Sequence, residues 1–241
     1  MILIPVNGKN ERMGSLFRTP KHLLLHKGEP IIGKSVRYLK KNDKIKILAG
    51  YESINQLEVM FPEIVTLAQP TDNVIETLLQ YRDKFGEEPV MIVDCDIIPN
   101  DLYGISTIEN LVYVFDNNDR LPGYSNYSDK GGIITSCNEK ETPLRWAGAG
   151  VYQFRSASEF FVYADEHKCK SVSEVVAVMI KLGFEFKVVP NQHITRLGSL
   201  YDITGPLTFN TGNKIVRDPS MIGDHILKMG MTALTERDWY M

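Results

Sequence analysis

Met1-Ile-Leu-Ile-Pro-Val-Asn-Gly8 opens the chain, and Lys9-Asn-Glu-Arg-Met-Gly14 follows it directly. The apolar run from Ile2 to Val6 predicts a buried strand, and the polar stretch behind it predicts a loop. A glycine at the end of a strand lets backbone N–H groups approach phosphate oxygens closely. Arg12 and Lys21 add positive charge to this region. The stretch therefore indicates a strand followed by a polyphosphate-binding loop.

Short apolar runs alternate with helical patterns along most of the chain, which is typical of a sheet covered by helices. We predict an α/β fold with three layers, in which a mostly parallel central sheet carries helices on both faces, as in Rossmann-like proteins. The predicted strands are Ile2 to Val6, Lys44 to Ala49, Ile64 to Leu67, Pro89 to Val93, Leu111 to Phe115, Gly132 to Ser136, Ala149 to Phe154 and Phe184 to Val189. The predicted helices are Pro30 to Lys40, Val74 to Phe85, Ala157 to His167 and Val172 to Leu182.

The composition excludes several classes of protein. With a net charge of -3, the 241-residue chain lacks the broad basic field that attracts nucleic acid. No stretch approaches the roughly 20 apolar residues of a membrane span. Its three cysteines, Cys95, Cys137 and Cys169, show neither a disulfide framework nor a metal-ligand pattern. We therefore expect a cytoplasmic protein that binds neither nucleic acid nor membrane.

The alternation of strands and helices continues to about residue 207 and fades from Thr208 onward. We predict one domain over 1–207 and a C-terminal extension over 208–241. The extension is either the start of a second domain or a helix packed on the first one. Two segments of it, Asn213-Lys-Ile-Val-Arg217 and Ile226-Leu-Lys228, resemble the opening strands of kinase-like phosphotransferases, so a fused kinase-like domain is one alternative. The polar stretch from Asp116 to Gly132 predicts a long loop.

Acidic residues follow one of the predicted buried strands. Asp94-Cys-Asp96 comes directly after the apolar run Val90 to Val93. In an extended segment, residues two apart share a face, so both carboxylates point at one ligand. Mg²⁺ binds through one or two carboxylates and completes its shell with substrate phosphates. Asp202, at another predicted strand end, is a candidate second ligand beside Asp96.

Two further sequence features bear on the site. Small residues in Gly148-Ala-Gly150, before an aromatic strand, permit close approach of a ligand to the backbone. The five histidines share no spacing typical of a metal site or a catalytic dyad, so we predict surface positions or hydrogen-bonded core positions for them.

These segments follow one another in an order that resembles the sugar-phosphate nucleotidyltransferases, a family with a GT-A-like fold. Asn7-Gly-Lys-Asn-Glu-Arg-Met13 with Pro20-Lys21 resembles their glycine-rich signature and its lysine. The other resembling segments are Gln69-Pro-Thr-Asp-Asn-Val74 for base recognition, Val93-Asp-Cys-Asp96 for the acidic strand end, Glu139-Lys140 for acceptor contact, Ala149-Gly-Val-Tyr152 for an Ala-Gly-Ile-Tyr motif, and Tyr201-Asp-Ile203 for the second metal ligand. The resemblance covers the chain from Met1 to about Pro206.

The resemblance implies an enzyme that moves a nucleoside monophosphate from an NTP to a small phosphorylated acceptor and releases pyrophosphate. It implies that Arg12 and Lys21 are catalytic and that Mg²⁺ binds Asp96 and Asp202. The implied nucleotide-binding residues are Asn7, Gly8, Lys9, Gln69, Asn73 and Asp94. The implied acceptor-binding residues are Glu139, Lys140 and Gly150. The expected setting is the synthesis of surface polysaccharide or capsule precursors.

Several alternatives stay open at this point. The family often has a second glycine where this chain has Asn10, and Gly-Thr-Ala where it has Asn73-Val-Ile75. The nucleotide is therefore CTP, UTP, dTTP or GTP, and the acceptor is a sugar 1-phosphate or another phosphorylated metabolite such as phosphocholine. The Asp94-x-Asp96 pair also fits a GT-A glycosyltransferase with a nucleotide-sugar donor. A non-catalytic nucleotide-sensing domain is the third interpretation, and the oligomeric state, a homo-oligomer included, stays undetermined.

Overall fold

The computed structural model describes residues 1–7, 20–39, 44–100, 102, 108–117, 124–139, 144–191, 194–197 and 231–232. The strands in this part of the chain are β1 (Ile2–Val6), β2 (Leu25–His26), β3 (Glu29–Pro30), β4 (Ile45–Ala49), β5 (Val65–Leu67), β6 (Val90–Val93), β7 (Ile97–Pro99), β8 (Asn110–Asp116), β9 (Ser125–Lys130), β10 (Ile133–Glu139), β11 (Trp146–Phe154), β12 (Phe186–Pro190), β13 (Ile194–Arg196) and β14 (Met231–Thr232). The α-helices are α1 (Ile31–Leu39), α2 (Ile54–Met60), α3 (Val74–Leu79), α4 (Ala157–Glu166) and α5 (Val172–Lys181), and 3-10 turns span Lys21–Leu23 and Arg82–Lys84.

The main sheet is mixed. Among the described residues it has nine strands in the order β5-β4-β1-β6-β11-β8-β12-β10-β9, and β11 also pairs with β9. The strands β5, β4, β1 and β6 are parallel to one another, and β12 is parallel to β8. The strand β11 is antiparallel to both of its neighbours β6 and β8, and β10 is antiparallel to β12 and β9. The predicted parallel sheet is thus limited to part of the structure, because β11 returns antiparallel between β6 and β8.

Helices cover the two faces of this sheet. Along the fully buried β1, Leu3 belongs to one apolar cluster, whereas Ile2 and Ile4 belong to another. The first cluster includes residues of α3, α4 and α5, and the second includes residues of α1 and α2. Because successive side chains of a strand point to opposite faces, the two clusters lie on opposite sides of the sheet. Apolar runs buried on both faces are what the sequence pattern predicts for such strands.

Most predicted elements are confirmed within one to three residues at each end, but several predictions are wrong. The predicted loop from Asp116 to Gly132 contains the strand β9, whose polar residues pair with β10 and β11. Gly131 and Gly132, both at positive φ, close this hairpin as a two-residue turn. The helix predicted to reach Phe85 ends at Leu79. The elements α2, β7 and β13 were not predicted, because each is too short for its residues to show a periodic apolar pattern.

The C-terminal extension over 208–241 lies almost wholly outside the described residues. Its described part, β14, pairs antiparallel with β2. None of the described helices is long and apolar enough to cross a membrane. The three cysteines are free thiols.

Candidate active site

An open cleft lies where the carboxyl ends of β1 and β6 meet the middle of β11 and the start of α5. Its volume is about 570 Å³, which is the size of a small-molecule site. Ligands of open α/β sheets bind beyond the carboxyl ends of the strands. The lining consists of Pro5, Val6, Asn7, Pro20, Lys21, His22, Thr71, Asp72, Asn73, Val74, Thr77, Asp94, Cys95, Asp96, Tyr124, Ser125, Glu139, Gly148, Gly150, Tyr152, Lys170, Ser171, Val172 and Ser173.

The cleft brings together most of the predicted site residues that the structure describes. Those lining it are Asn7, Lys21, Asn73, Asp94, Asp96, Glu139 and Gly150. Gln69 is described but lies outside the lining. The predicted residues Gly8, Lys9, Arg12, Lys140 and Asp202 lie outside the described residues. The described members come from distant parts of the chain, and the order of the strands makes them neighbours.

Lys21 and Asp96 form an ion pair in the cleft. Lys21 begins the 3-10 turn Lys21–Leu23, and its Nζ donates a hydrogen bond to Oδ2 of Asp96. The lysine side chain is 18% exposed and the aspartate side chain 9% exposed. A charge pair with so little exposure is screened less by solvent than a surface pair. The cleft therefore holds an ammonium group and a carboxylate in direct contact.

Asp94 lies against the backbone of β11. Its N–H donates to the carbonyl oxygen of Gly150 at 2.8 Å. Gly150 has a φ of +80°, and a Cβ on this residue would lie 2.8 Å from Oδ2 of Asp94. Both the backbone conformation and the space thus require glycine here. Residues 94–96 leave β6 in a turn, so the extended geometry expected for the two aspartates is wrong, although both side chains line the cleft.

Two groups beside this pair are uncharged at neutral pH. Burial, with a smaller effect of the charge on Lys21, lowers the pKa of His22 to about 3. Burial raises the pKa of the Cys95 thiol to about 12. The prediction of a surface or hydrogen-bonded position is wrong for His22, because its buried Nε2 has no hydrogen-bond partner among the described residues. The imidazole beside Lys21 is therefore neutral, and Cys95 is a protonated thiol rather than a nucleophile.

One end of the cleft is built around the Asn7 side chain. Its Nδ2 donates to the carbonyl oxygen of Gln69 at 2.9 Å and to Oγ1 of Thr71 at 3.1 Å. Oγ1 of Thr71 lies 2.6 Å from Oγ1 of Thr77, so the three polar side chains form one network. A Cβ on Gly50 would overlap the Asn7 amide oxygen. The carboxyl end of β1 is therefore tied to the segment that leads into α3.

Gln69 and Asn73 serve local structure in this region. The backbone N–H of Gln69 donates to Oε1 of Gln80 at 2.8 Å. The side-chain oxygen of Gln69 accepts from the Tyr51 hydroxyl at 3.3 Å. Asn73 caps α3, since its Oδ1 accepts from the N–H of Glu76 at 3.0 Å. The structure thus places Gln69 behind Asn7 rather than on the wall of the cleft, and Asn73 on the wall as a helix cap.

The opposite end of the cleft is built around Glu139, the last residue of β10. Its Oε2 accepts hydrogen bonds from Oγ of Ser125 at 2.6 Å and from Oγ of Ser173. Ser173 lies in the first turn of α5, whose N-cap is Ser171. Burial raises the pKa of the neighbouring Tyr152 well above its ordinary value, so this phenol stays protonated. The result is a wall of hydroxyl groups around one carboxylate.

Sequence reasoning missed several residues of the lining, among them His22, Thr77, Tyr124, Ser125 and the segment Lys170–Ser173. The sequence contains one signal for the segment Lys170–Ser173. Ser171-Val-Ser-Glu174 has the spacing of a capping box, with the Ser171 hydroxyl accepting from the N–H of Glu174. That spacing marks the start of α5, but it does not indicate that this helix start faces the cleft.

At the end of β6, Asp94 and Asp96 offer two carboxylates to a cation in the cleft. No group of three or more histidine, cysteine or acidic residues that could hold a metal ion occurs in the described part of the chain. A pair of carboxylates completed by substrate phosphates and water suits Mg²⁺, which is rarely enclosed by protein ligands alone. The donor set therefore fits Mg²⁺ that arrives together with a phosphorylated ligand.

No family model and no curated protein matches the sequence. Solved structures do match the fold. A nucleoside-diphosphate-sugar pyrophosphorylase from Vibrio cholerae RC9 is 14% identical, with a TM-score of 0.69 over 84% of this chain and 97% of that chain. A CTP:phosphocholine cytidylyltransferase from Streptococcus pneumoniae is 16% identical, with a TM-score of 0.67 over 83% of this chain and 94% of that chain.

An inositol-1-phosphate CTP transferase from T. maritima is similar over a longer stretch, with 12% identity and a TM-score of 0.69 over 95% of both chains. At these identities the likeness concerns the fold. The chain has the fold of the sugar-phosphate nucleotidyltransferases, as the resemblance of its motifs predicts. The cleft lies at the edge of the sheet where this class of fold places its ligands.

Proposed function

We propose that this protein is a Mg²⁺-dependent nucleotidyltransferase that transfers a nucleoside monophosphate from an NTP to a small phosphorylated acceptor. The observation that carries the proposal is the Lys21–Asp96 ion pair between two polar ends of a single cleft. The sheet order β1-β6-β11, with β9 paired to β11, puts Asp94 and Asp96 between the Asn7 end and the Glu139 end. A nucleoside at one end and an acceptor at the other then meet through their phosphates beside Lys21.

In the proposed reaction, an oxygen of the acceptor phosphate attacks the α-phosphorus of the NTP. A new P–O bond forms, the bond from the α-phosphorus to the bridging oxygen breaks, and pyrophosphate leaves with that electron pair. No protein nucleophile takes part, in keeping with the high pKa of Cys95. Catalysis rests on positioning and on neutralising phosphate charge. Lys21 supplies positive charge at the phosphates, and Arg12 does so for the departing pyrophosphate.

The remaining roles follow the two ends of the cleft. The proposed nucleotide-binding residues are Asn7, Gly8, Lys9, Asn73 and Asp94, and Gln69 acts through its backbone by holding Asn7. The proposed acceptor-binding residues are Glu139, Lys140 and Gly150. Asp96 and Asp202 would hold Mg²⁺, and the ion, when bound, would polarise phosphoryl oxygens and offset their charge.

The direct test is a pyrophosphate-release assay. CTP, UTP, dTTP, GTP and ATP are each mixed with Mg²⁺ and with glucose 1-phosphate, phosphocholine or inositol 1-phosphate, the acceptor classes suggested by the names of the similar structures. We expect one NTP to support release that depends on the acceptor. The same NTP should raise the melting temperature, since a ligand that binds only the folded state stabilises it. No release with any combination contradicts the proposal for these acceptor classes.

Asp96→Asn tests the role of the acidic end of β6. We expect kcat to fall by about a hundredfold or more, because a group that neutralises or orients phosphate charge is lost. Asp116→Asn is the matched control, since this aspartate is exposed at the end of β8 and lies outside the cleft lining. Near-normal turnover in Asp96→Asn at an unchanged melting temperature would remove Asp96 from the mechanism.

A GT-A glycosyltransferase is the second candidate, because Asp94 and Asp96 both line the cleft. Such an enzyme takes a nucleotide-sugar donor and releases a nucleoside diphosphate, so it produces no pyrophosphate from an NTP. A nucleotide-sensing domain would show the thermal shift with NTP but no turnover with either donor. Turnover with each donor and the thermal shift with NTP thus distinguish the three functions.

The proposed product is a nucleoside diphosphate derivative, which is an activated donor of the acceptor group. We propose that it serves the cytoplasmic synthesis of precursors for surface polysaccharide or capsule. Deleting the gene should then deplete one activated precursor and the polysaccharide made from it. Unchanged surface polysaccharide in the deletion strain would contradict this use of the product without contradicting the proposed reaction.

A further inference from the structure

The Arg196 side chain contacts two aromatic rings. Its guanidinium carbon is 3.7 Å from the centroid of the Tyr124 ring and 4.2 Å from the centroid of the Phe115 ring. The two rings also touch each other edge to face, with centroids 5.6 Å apart and an interplanar angle of 88°. A cation within about 6 Å of a ring centroid is attracted by the ring's electrons. Arg196 therefore contacts both members of an aromatic pair.

The backbone of Arg196 is joined to the acidic end of the cleft. In the β7–β13 ribbon Arg196 stands opposite Ile97, the residue after Asp96. The next N–H along the chain, that of Leu197, donates to the carbonyl oxygen of Asp96 at 2.9 Å. One end of the arginine is thus held at Asp96 by strand pairing, while its side chain reaches Tyr124.

Tyr124 belongs to the other end of the cleft. It lines the cleft next to Ser125, whose hydroxyl donates to Glu139 at 2.6 Å. Arg196 and Phe115 are not part of the lining. Among the described contacts, those with the Tyr124 ring join the Arg196 side chain to the lining at the start of β9.

We propose that Arg196 is a positioning residue for the acceptor, which it serves by setting the place of Tyr124 relative to Asp96. The proposal rests on the function proposed above. A planar guanidinium stacked on a ring restricts the ring's rotation, and Lys reproduces the charge but not the planar contact. The nucleotide end of the cleft is built by Asn7, Thr71 and Thr77, which are held by other contacts. Loss of the guanidinium should therefore affect the acceptor rather than the NTP.

Arg196→Met tests this directly by steady-state kinetics with the NTP and acceptor that the wild-type protein uses. We expect the KM for the acceptor to rise about tenfold, because part of the acceptor's binding free energy must then order the Tyr124 ring that the two cation–π contacts no longer hold. The KM for the NTP should stay within about twofold of wild type, because an effect limited to the acceptor end leaves NTP binding intact. Arg196→Lys should restore part of the acceptor affinity.

Arg145→Met is the matched control. Arg145 also stacks on an aromatic ring, with its guanidinium carbon 4.4 Å from the centroid of Trp146, but neither residue lines the cleft. This variant should leave both KM values unchanged. Phe115→Leu removes the other ring that Arg196 contacts, a ring that also packs edge to face on Tyr124. It leaves the closer stack of Arg196 on Tyr124 in place, so it should raise the acceptor KM less than Arg196→Met does.

The outcomes separate the two proposals. If the wild-type protein releases no pyrophosphate, the proposed function fails. If it does and Arg196→Met leaves the acceptor KM unchanged, or raises both KM values equally, the positioning role is overturned. If Arg196→Met does not fold, Arg196→Lys and Phe115→Leu decide, and a wild-type acceptor KM in both folded variants overturns the inference.

Discussion

At the scale of single residues, the cleft depends on a lysine and an aspartate that neutralise each other. Lys21 lies far from Asp96 along the chain, and its ammonium group donates to the carboxylate that a cation would need. In the proposed reaction the NTP phosphates compete for the ammonium, which leaves Asp96 available to Mg²⁺. Nucleotide and metal should therefore assist each other's binding.

Lys21→Met should tighten the binding of Mn²⁺ to the nucleotide-free protein, because the ammonium no longer competes for Asp96. Titration of Mn²⁺ followed by electron paramagnetic resonance measures this without any turnover. Lys170→Met is the control, since Lys170 lines the same cleft at the start of α5. Equal or weaker Mn²⁺ binding in Lys21→Met would show that the ion pair does not limit access of the metal.

Gly150→Ala should destabilise the protein and displace Asp94. Gly150 and Gly183 both have positive φ, but a Cβ at 150 would lie 2.8 Å from Asp94, whereas at 183 nothing lies within 4 Å. Backbone strain should cost about 1 kcal/mol at either site, and the clash adds to this only at 150. Chemical denaturation of Gly150→Ala and Gly183→Ala measures the difference. Equal losses of stability in the two variants would mean that Asp94 moves aside freely.

At the scale of elements, α5 contributes more to the cleft than its sequence pattern indicates. The helix was predicted from its apolar spacing, and its start at Val172 is confirmed. Ser173 in its first turn reaches Glu139 on β10 because α5 packs on that strand. The pairing of β9 with β10 and β11 was not predicted, since the polar sequence of β9 has low strand propensity and its pairing partners supply the stability.

Ser171→Ala should separate the capping role of this serine from its place in the cleft. Ser156 is a matched control, because it caps α4 with the same geometry. The Ser156 hydroxyl accepts from the N–H of Glu159 at 3.2 Å, and the Ser171 hydroxyl accepts from the N–H of Glu174 at 3.2 Å. Each alanine variant should lose about 1 kcal/mol of unfolding free energy. Only Ser171→Ala should raise the acceptor KM. An equal kinetic effect in Ser156→Ala would mean that lowered stability alone accounts for the change.

At the scale of the whole molecule, the cleft joins residues that both apolar clusters hold in place. Leu3 and Val6 of β1 belong to different apolar clusters, and Asn7 directly follows Val6. The strand ends that carry the site are thus attached to a core packed on both faces. A densely packed support of this kind keeps site residues in position before a ligand arrives.

Stability should fall in acid because of one buried histidine. The pKa of His22 is about 3 in the folded protein, against about 6.5 in the unfolded chain. Between these values the unfolded state binds a proton that the folded state does not, so stability is present above pH 6.5 and is lost as pH falls toward 3. Wild type should lose about 2 kcal/mol from this group between pH 7 and pH 5.

The measurement is chemical denaturation at the two pH values in wild type, His22→Gln and His167→Gln. His22→Gln cannot titrate at this site, so its stability should change less with pH. His167 is exposed at the end of α4, and its variant should follow wild type. If His22→Gln follows wild type as well, other groups control the acid transition.

The sequence by itself determined the buried strands, the starts of the main helices and the identity of the residues at the ends of β1 and β6. Those features depend on apolar spacing and on glycine or acidic residues at strand ends, which are local properties of the chain. Tertiary structure alone decided that Lys21 meets Asp96, that Arg196 stacks on Tyr124, and that Ser173 reaches Glu139. Each of these contacts joins segments distant in the chain, and a local pattern carries no information about the partner that packing brings to it.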